Sequence, residues 1–394
     1  MASVSVALLS LSFGALWITA VGLKTIAADL GGARSAPSLA NSLAWLGSSV
    51  GGIAMGRFAD RFGIRWTVMF GAVSICIGLF ISTLGQPWQL YVGHGIFMGL
   101  LGNAGLNAPL YVYVSRWFDR RRGTAIALIS SGQYIAGMVW PSLFGRGITE
   151  FGWQTTMLCY AVVVLVVILP TLALLRPVPV QWVTESDAHI SRSRGTVLGL
   201  RPNLVQALLC VASFCCCVPM AVPSAHLVAF CGDIGIAPTH SAAMLSVLLG
   251  AAFISRQLWG AMADRIGGLR TVLIGSACQA LAIMAFVFTQ NEIGLFAISA
   301  AFGLGFSGII PSYSVAIRDL FPSSEASWRI PTLLMVSMVG MAFGSWFAGT
   351  LYDHFGFYAP AFAAGVLFNG ANVLIVGFLV RQLHGLEAVE TQPA

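Results

Sequence analysis

The sequence contains little charge: only 9% of its 394 residues are Asp, Glu, Lys or Arg, whereas 57% are hydrophobic. Soluble domains carry charge on roughly a quarter of their residues, so this composition excludes an ordinary soluble protein. The formal net charge is +6, but no basic run is interleaved with aromatic residues, and we expect no nucleic-acid partner. The composition predicts a chain that crosses the lipid bilayer several times.

Patterns typical of disulfide frameworks, metal sites and enzymes are also missing. The eight cysteines form no CxxC or CxxH spacing, and four of them fall between residues 210 and 217 in one apolar run. We therefore expect the cysteines to serve packing, with no metal or other cofactor. Because the sequence groups no nucleophile with a base, it does not predict an enzyme.

Twelve apolar segments are each long enough to cross a hydrocarbon layer of about 30 Å as a helix. The predicted spans, numbered 1 to 12, cover residues 4–28, 38–60, 66–85, 88–115, 123–146, 153–175, 203–230, 241–263, 270–289, 292–318, 330–352 and 357–380. No Lys or Arg precedes span 1, so we interpret it as an uncleaved membrane helix rather than a signal peptide.

The arginines predict the orientation of the spans. If the N-terminus is cytoplasmic, sixteen arginines lie on or beside cytoplasmic connections, and only Arg34 and Arg146 lie on the opposite side. The positive-inside rule therefore predicts that both termini are cytoplasmic. A plasma membrane is the expected location, and a bacterial inner membrane is favoured.

Residues 56–71 are repeated as residues 260–275, at a shift of 204 positions. The matched positions include Gly56 and Gly260, Asp60 and Asp264, Arg61 and Arg265, Gly63 and Gly267, and Thr67 and Thr271. A repeat at about half the chain length predicts two related halves. The predicted organisation is a first bundle at 1–176, a cytoplasmic linker at 177–202, a second bundle at 203–381 and a cytoplasmic tail at 382–394.

The twelve spans and the two Gly-Asp-Arg-Gly turns resemble the major facilitator superfamily. Within it, residues 106–137 are similar to the monocarboxylate porters and oxalate:formate antiporters, which have Asn and Pro in span 4, an aromatic residue before Arg-Arg, and a Gly-rich span 5. Lys24 and Arg256 resemble the lysine of span 1 and the arginine of span 8 in these porters. The resemblance implies an all-α membrane protein of two pseudo-symmetric six-helix bundles that transports organic anions by alternating access.

Two positions depart from these families. Ala252 stands where the animal porters have an Asp that shares in proton coupling, and span 11 has no lysine where an oxalate exchanger has a second cation. The first departure leaves carboxylate-assisted proton coupling open, and the second leaves dicarboxylate exchange open.

Arg256 lies eight residues before Asp264, which puts it about 12 Å along the helix from the cytoplasmic turn. An arginine cannot shed its proton, so it must face a polar cavity or a partner. We expect it to bind the substrate carboxylate bidentately, with a structural ion pair as the alternative. Lys24, the only lysine, is the second predicted cation and the predicted proton-coupling residue, because a desolvated lysine can titrate. Its alternatives are snorkelling or a pair with Asp29.

Polar residues in other spans complete the predicted site. The i, i+4, i+8 spacing places three of them on one inward face of span 4, where they line the cavity or bond helix to helix. The additional predicted substrate-binding residues are Asn103, Asn107 and Tyr111 in span 4, His226 in span 7 and Tyr313 in span 10. The predicted gating residues, which close the cytoplasmic side, are Gly56, Asp60, Arg61, Arg65, Asp264 and Arg265.

The function predicted from the sequence is proton-coupled transport of a small monocarboxylate by a monomer, with the proton as the coupling ion. Carboxylate exchange is the alternative, because without an acid at position 252 the empty carrier needs a second anion for its return. Efflux of a drug or metabolite is less favoured, because cation carriers usually place an acidic residue in the cavity. A sensor role is also less favoured, because no soluble output domain is evident.

Overall fold

The computed structural model describes residues 2–115, 122–175 and 197–390, and nearly all of these residues are helical. Helices satisfy every backbone hydrogen bond within one segment, as an apolar chain in lipid requires. The α-helices are α1 (Ala2–Val21), α2 (Leu23–Asp29), α3 (Ser35–Phe62), α4 (Ile64–Ser82), α5 (Pro87–Val92), α6 (Ala104–Ser115), α7 (Arg122–Phe151), α8 (Trp153–Thr171), α9 (Pro202–Asp233), α10 (Pro238–Ile266), α11 (Gly268–Phe288), α12 (Glu292–Phe306), α13 (Ile309–Leu320), α14 (Ser323–Phe355) and α15 (Ala359–Glu390). A π-helix, Gly93–Asn103, joins α5 to α6.

Nine helical segments of the described residues are long and apolar enough to cross a membrane on their own. The described helices outside these nine include α3, α7 and an interrupted helix formed by α5, the π-helix and α6, while α1 is continued by the short α2. If each interrupted helix is counted once, the described elements are consistent with the twelve predicted spans.

The predicted repeat has the same local geometry in both copies. Gly63, between α3 and α4, has φ 85° and ψ 161°, and Gly267, between α10 and α11, has φ 84° and ψ 159°. In each copy the following threonine hydroxyl, on Thr67 or Thr271, donates to the glycine carbonyl at 2.9 Å. Only glycine adopts this positive-φ conformation without strain, so the turn requires it in both places.

Packing divides the chain into two compact units. Unit 1 contains Met1–Val183, Val222–Gly250 and Ser345–Ala361, and unit 2 contains Thr184–Ala221, Ala251–Gly344 and Phe362–Ala394. Unit 1 thus combines the predicted first bundle with one end of α9, α10 and α14. The boundary at 177–202 stays a prediction, because residues 176–196 lie outside the described part of the chain.

In unit 1, α1 packs against α7 and α8 through a buried polar and aromatic contact. The Tyr160 hydroxyl donates to the Leu11 carbonyl at 2.5 Å, and the Trp140 indole N–H donates to the Ser10 carbonyl at 3.1 Å. Phe13 and Leu16 of α1 are almost completely buried. These contacts hold α1, and the break at Gly22 that follows it, in a fixed position.

In unit 2, α11 packs closely against α13. A β-carbon at Gly268 would lie 2.2 Å from the backbone nitrogen of Ala316, so only glycine permits this approach. The Gly268 backbone N–H also donates to the Asp319 carboxylate at 2.9 Å. The aromatic rings of Phe286 in α11 and Phe362 in α15 stack at 5.4 Å.

Candidate functional site: an arginine in α10 and a charged cluster at the outer helix ends

Arg256 lies ten residues before the end of α10 and is half-buried. Its neighbours fix the rotation of α10 about its own axis. The hydroxyls of Ser255 and Ser307 are 2.6 Å apart, and the Trp259 indole N–H donates to the Leu304 carbonyl at 2.6 Å. These contacts join α10 to α12, and they therefore hold the backbone of Arg256 in one orientation.

The acidic residues have a different distribution. Every acidic residue in the described part of the chain lies within three residues of the end of its helix. Ala252, one turn before Arg256, is fully buried. The described helices thus carry an arginine well inside α10 and no carboxylate at a comparable depth.

Lys24 lies in a different environment from the desolvated one that the sequence predicted. Its side chain is 53% exposed, and its ammonium lies 3.2 Å from the Asp233 carboxylate. The ammonium also donates to the Gly232 carbonyl at 3.1 Å. In this structure the Lys24 ammonium pairs with Asp233 rather than with Asp29, whose carboxylate accepts a hydrogen bond from the Trp153 indole at 2.6 Å. The helix break at Gly22 places Lys24 at the start of α2, among the helix ends that the positive-inside rule predicts to face outward; we call them the outer helix ends.

Arg34 forms an ion pair with Asp233 at the same helix ends. Its two terminal nitrogens donate to the two carboxylate oxygens of Asp233, each at 2.5 Å, in a bidentate arrangement. Its guanidinium lies 3.7 Å from the ring centroid of Tyr352 and donates to the Tyr358 hydroxyl at 3.0 Å. Burial alone would lower the pKa of Arg34, but the hydrogen bonds that Arg34 donates to Asp233 and its interaction with Tyr358 raise it, so Arg34 stays charged.

The N-terminus of α3 adds a second carboxylate contact. Asp353, near the end of α14, accepts hydrogen bonds from the backbone N–H groups of Arg34 at 2.7 Å and Ser35 at 2.9 Å. Backbone N–H groups at a helix start lack partners within the helix and favour a negative charge. Asp353 therefore stabilises the contact between α14 and α3.

His226 belongs to this same network. It is fully buried, and its Nε2 lies 2.8 Å from the Ser345 carbonyl, while its Nδ1 lies 3.0 Å from the Tyr358 hydroxyl. A carbonyl only accepts, so Nε2 carries the hydrogen and Nδ1 accepts from Tyr358. The hydrogen bonds therefore run in one direction, from Arg34 to Tyr358 to His226 to Ser345. We refer to Lys24, Arg34, His226, Asp233 and Tyr358 as the outer cluster.

The other predicted substrate-binding residues differ in burial. Asn107 and Tyr111 are half-buried in α6, whereas Asn103 is fully buried and its amide has no hydrogen-bond partner in the described structure. Tyr313 is fully buried inside unit 2, where its hydroxyl donates to Asn372 at 2.6 Å. This position favours a packing role for Tyr313 in the present arrangement, and its predicted contact with substrate stays a prediction.

The predicted gating residues lie at the opposite, predicted cytoplasmic, helix ends. Asp60, Arg61 and Arg65 in unit 1 are exposed, and so are Asp264 and Arg265 in unit 2. The Arg65 Nε–H donates to the Leu175 carbonyl at 2.5 Å. Near Gly56, a cavity of 440 Å³ is lined by Gly56, Asp60, Arg65 and Tyr113 among others. Residues 116–121, which include Arg116, Arg120 and Arg121, lie outside the described part of the chain.

No sequence motif marked Arg34, Asp233, Tyr358 or Asp353 as functional candidates. One sequence feature pointed to Arg34: it is one of only two arginines predicted on the outer side, where the positive-inside rule disfavours them. No comparable feature marked Asp233, which is separated from Arg34 by 199 residues.

Comparison with known proteins identifies the family. The profile of the Major Facilitator Superfamily matches residues 6–230 and 208–393. The MFS-type transporter pynF of Aspergillus niger is 24% identical over 85% of this chain and 79% of its own length. Monocarboxylate transporter 13 of Bos taurus is 25% identical over 84% of this chain and 79% of its own length.

Among solved structures, a mutant of the nucleoside transporter NupG is 14% identical and has a TM-score of 0.75, covering 97% of this chain and 100% of its own. At this identity the likeness concerns the fold alone. The prediction of an all-α membrane fold is confirmed by this likeness and by the family match. The family match and the MFS-type relatives confirm the prediction that the protein is not an enzyme. The chain belongs to the major facilitator superfamily and is a multi-pass membrane transporter.

Proposed function

We propose that this transporter carries small monocarboxylates and that Arg256 binds the carboxylate of the substrate. The proposal rests on the different positions of Arg256 and of the acidic residues within the described helices. Arg256 lies ten residues from the end of α10, whereas the described acidic residues lie at helix ends. A fixed positive charge without an acid at similar depth favours an anion over a cation.

The chemistry of arginine suits this role. A guanidinium stays protonated and offers paired N–H donors that match the two oxygens of a carboxylate. A charged group inside a membrane helix is unfavourable unless it faces a polar cavity or a partner. The carboxylate of a substrate would be one such partner during each transport cycle. The relatives named monocarboxylate transporter 13 support the same substrate class, at 25% identity.

We also propose that transport is coupled to protons through Lys24. Lys24 is more than half exposed and paired with Asp233 in this arrangement, so a part for Lys24 in proton coupling requires that the pair separates when the outer side opens. In the proposed cycle, the carboxylate enters from the outer side, the ion pairs reform behind it, and substrate and proton leave towards the cytoplasm. We further propose that the protein acts as a monomer in the plasma membrane, with cytoplasmic termini.

Uptake by proteoliposomes tests the substrate and the role of Arg256. We expect labelled lactate, pyruvate or formate to accumulate in an inward proton gradient. Arg256→Ala should abolish uptake, and Arg256→Lys should raise the KM, because lysine keeps the charge but loses the paired donors. Arg381→Gln is the control, since Arg381 is an exposed arginine in α15. Equal uptake by wild type and Arg256→Ala would contradict the proposal.

Carboxylate exchange is a second candidate, and the burial of Ala252 favours it. The fully buried methyl group occupies the helix position one turn before Arg256, so no acid there can neutralise the arginine in the empty carrier. An obligatory exchanger would take up labelled carboxylate only when the liposomes contain an anion. A symporter would take it up into empty liposomes and acidify their lumen, which a trapped pH-sensitive dye reports.

A further inference from the structure

Asp233 lies where the outer helix ends bring together two cations from the first half of the chain. Its carboxylate accepts both terminal N–H groups of Arg34 at 2.5 Å and lies 3.2 Å from the Lys24 ammonium. We infer that Lys24 and Arg34 form an outer carboxylate-binding site, in which the side chain of Asp233 and the carboxylate of the substrate compete for the same donors. This inference rests on the proposed function for the identity of the substrate.

The geometry of the contact at Arg34 also fits a carboxylate from outside the chain. The bidentate contact with Arg34 is the arrangement that a guanidinium makes with any carboxylate, whether it belongs to the chain or to a solute. Lys24 adds a point charge on one of the same two oxygens. The carboxylate of Asp233 thus shows how a small carboxylate would be held at this place.

The two halves of the chain contribute opposite charges to this contact. Lys24 and Arg34 belong to α2 and the start of α3, in the first half, whereas Asp233 and Asp353 end α9 and α14, in the second half. The two positive and two negative charges balance while these ends are in contact. If the two halves separate at the outer side, the cations stay together on one half and both carboxylates leave with the other.

The charge of Arg34 depends on partners from the second half of the chain. Its residue is 5% exposed, and its partners Asp233, Tyr352 and Tyr358 all come from the second half. Without them, the guanidinium, the Lys24 ammonium and the backbone N–H groups at the start of α3 all favour an anion. An entering carboxylate would bind there, and Asp233 would displace it when the ends return.

The test uses the full-length protein in detergent and sodium acetate as the probe, with sodium chloride as the ionic-strength control. Asp233→Ala removes the internal competitor, so we expect acetate, and not chloride, to raise its unfolding temperature. Wild type should respond much less, because Asp233 occupies the site. Adding Arg34→Gln to Asp233→Ala should weaken acetate binding by about tenfold or more, the effect of losing a charge-assisted hydrogen bond.

Two results would overturn the outer site: acetate stabilising Asp233→Ala no more than wild type, or acetate stabilising the Arg34→Gln double variant as well as the single one. Equal stabilisation by chloride would show a general anion effect and would also overturn it. Asp233→Ser repeats the test with a smaller change if the alanine variant does not fold.

A measurement that needs no Asp233 variant uses Lys24→Gln. Lys24 is 53% exposed, so this variant should fold, and we expect a several-fold higher KM for carboxylate uptake. An unchanged KM counts against the site. The binding experiment is independent of transport: if wild type transports carboxylates but acetate binding does not depend on Arg34, the outer site fails and the proposed function stands.

Discussion

Replacing His226 by phenylalanine should weaken the contact that keeps the outer helix ends together. The ring of His226 is fully buried and bridges the Ser345 carbonyl at 2.8 Å and the Tyr358 hydroxyl at 3.0 Å. Phenylalanine has a similar shape, so the substitution leaves little cavity. It removes the donor to Ser345 and the acceptor for Tyr358, and it therefore isolates the polar contribution of the histidine.

The magnitude follows from these two bonds. Each is worth about 1 kcal/mol, and a buried polar group that loses its partner costs about 1–3 kcal/mol. The Tyr358 hydroxyl keeps its bond from Arg34, so we expect the closed arrangement to lose about 2–4 kcal/mol in total. At about 1.4 kcal/mol per tenfold, the ratio of closed to open outer ends should fall by about 30- to 1,000-fold.

A buried reporter thiol measures this ratio. Asn41 of α3 is 7% exposed, and its amide donates to the Ser345 hydroxyl at 3.4 Å, so it lies at the same contact. In a variant without the eight native cysteines, Asn41→Cys should react with a membrane-impermeant thiol reagent only when the outer ends separate. We expect His226→Phe to accelerate this reaction within the range given above.

His226→Gln is the matched control, because its amide can still donate to Ser345 and accept from Tyr358. It should accelerate the reaction of the reporter less than His226→Phe does. If His226→Phe reacts at the rate of the parent protein while unfolding at the same temperature, the histidine does not hold these ends together and our interpretation of the outer cluster is incorrect.

Three further predictions concern stability, and each is checked by thermal unfolding in detergent. Gly63→Ala should cost about 1–3 kcal/mol because its φ of 85° strains any other residue. Gly56→Ala, where an added β-carbon meets nothing within 4 Å, should be neutral or stabilising by up to about 1 kcal/mol, because alanine favours a helix over glycine. Gly268→Ala should cost about 1–3 kcal/mol because α11 and α13 must separate. Tyr313→Phe should cost about 1–2 kcal/mol by leaving the Asn372 carbonyl without its donor, and the KM for carboxylate should not change.

Different results would contradict these predictions. A glycine pair with equal unfolding temperatures would show that the turn conformation does not need Gly63. Unchanged stability of Gly268→Ala would mean that α11 and α13 tolerate a wider separation. A higher KM for Tyr313→Phe without loss of stability would return Tyr313 to the substrate site that the sequence predicted.

Local patterns in the sequence determined the class of the protein and much of its fold. An apolar run of about twenty residues forms a helix in lipid because no other local structure satisfies its backbone. The duplicated turn was predictable because a glycine with positive φ acts within its own turn, as Gly63 and Gly267 show. Arg256 could also be identified from the sequence, because a guanidinium inside an apolar helix is unfavourable unless it faces a polar cavity or a partner.

The tertiary structure alone decided which charges meet. From the sequence, Lys24 had Asp29 as its nearby carboxylate, but Asp29 binds Trp153 and Lys24 pairs with Asp233. Arg34 and Asp233 are 199 residues apart, and hydropathy places each only near a helix end. An ion pair requires two side chains within a few ångströms, and that distance follows from how the helices pack rather than from the spacing of residues along the chain.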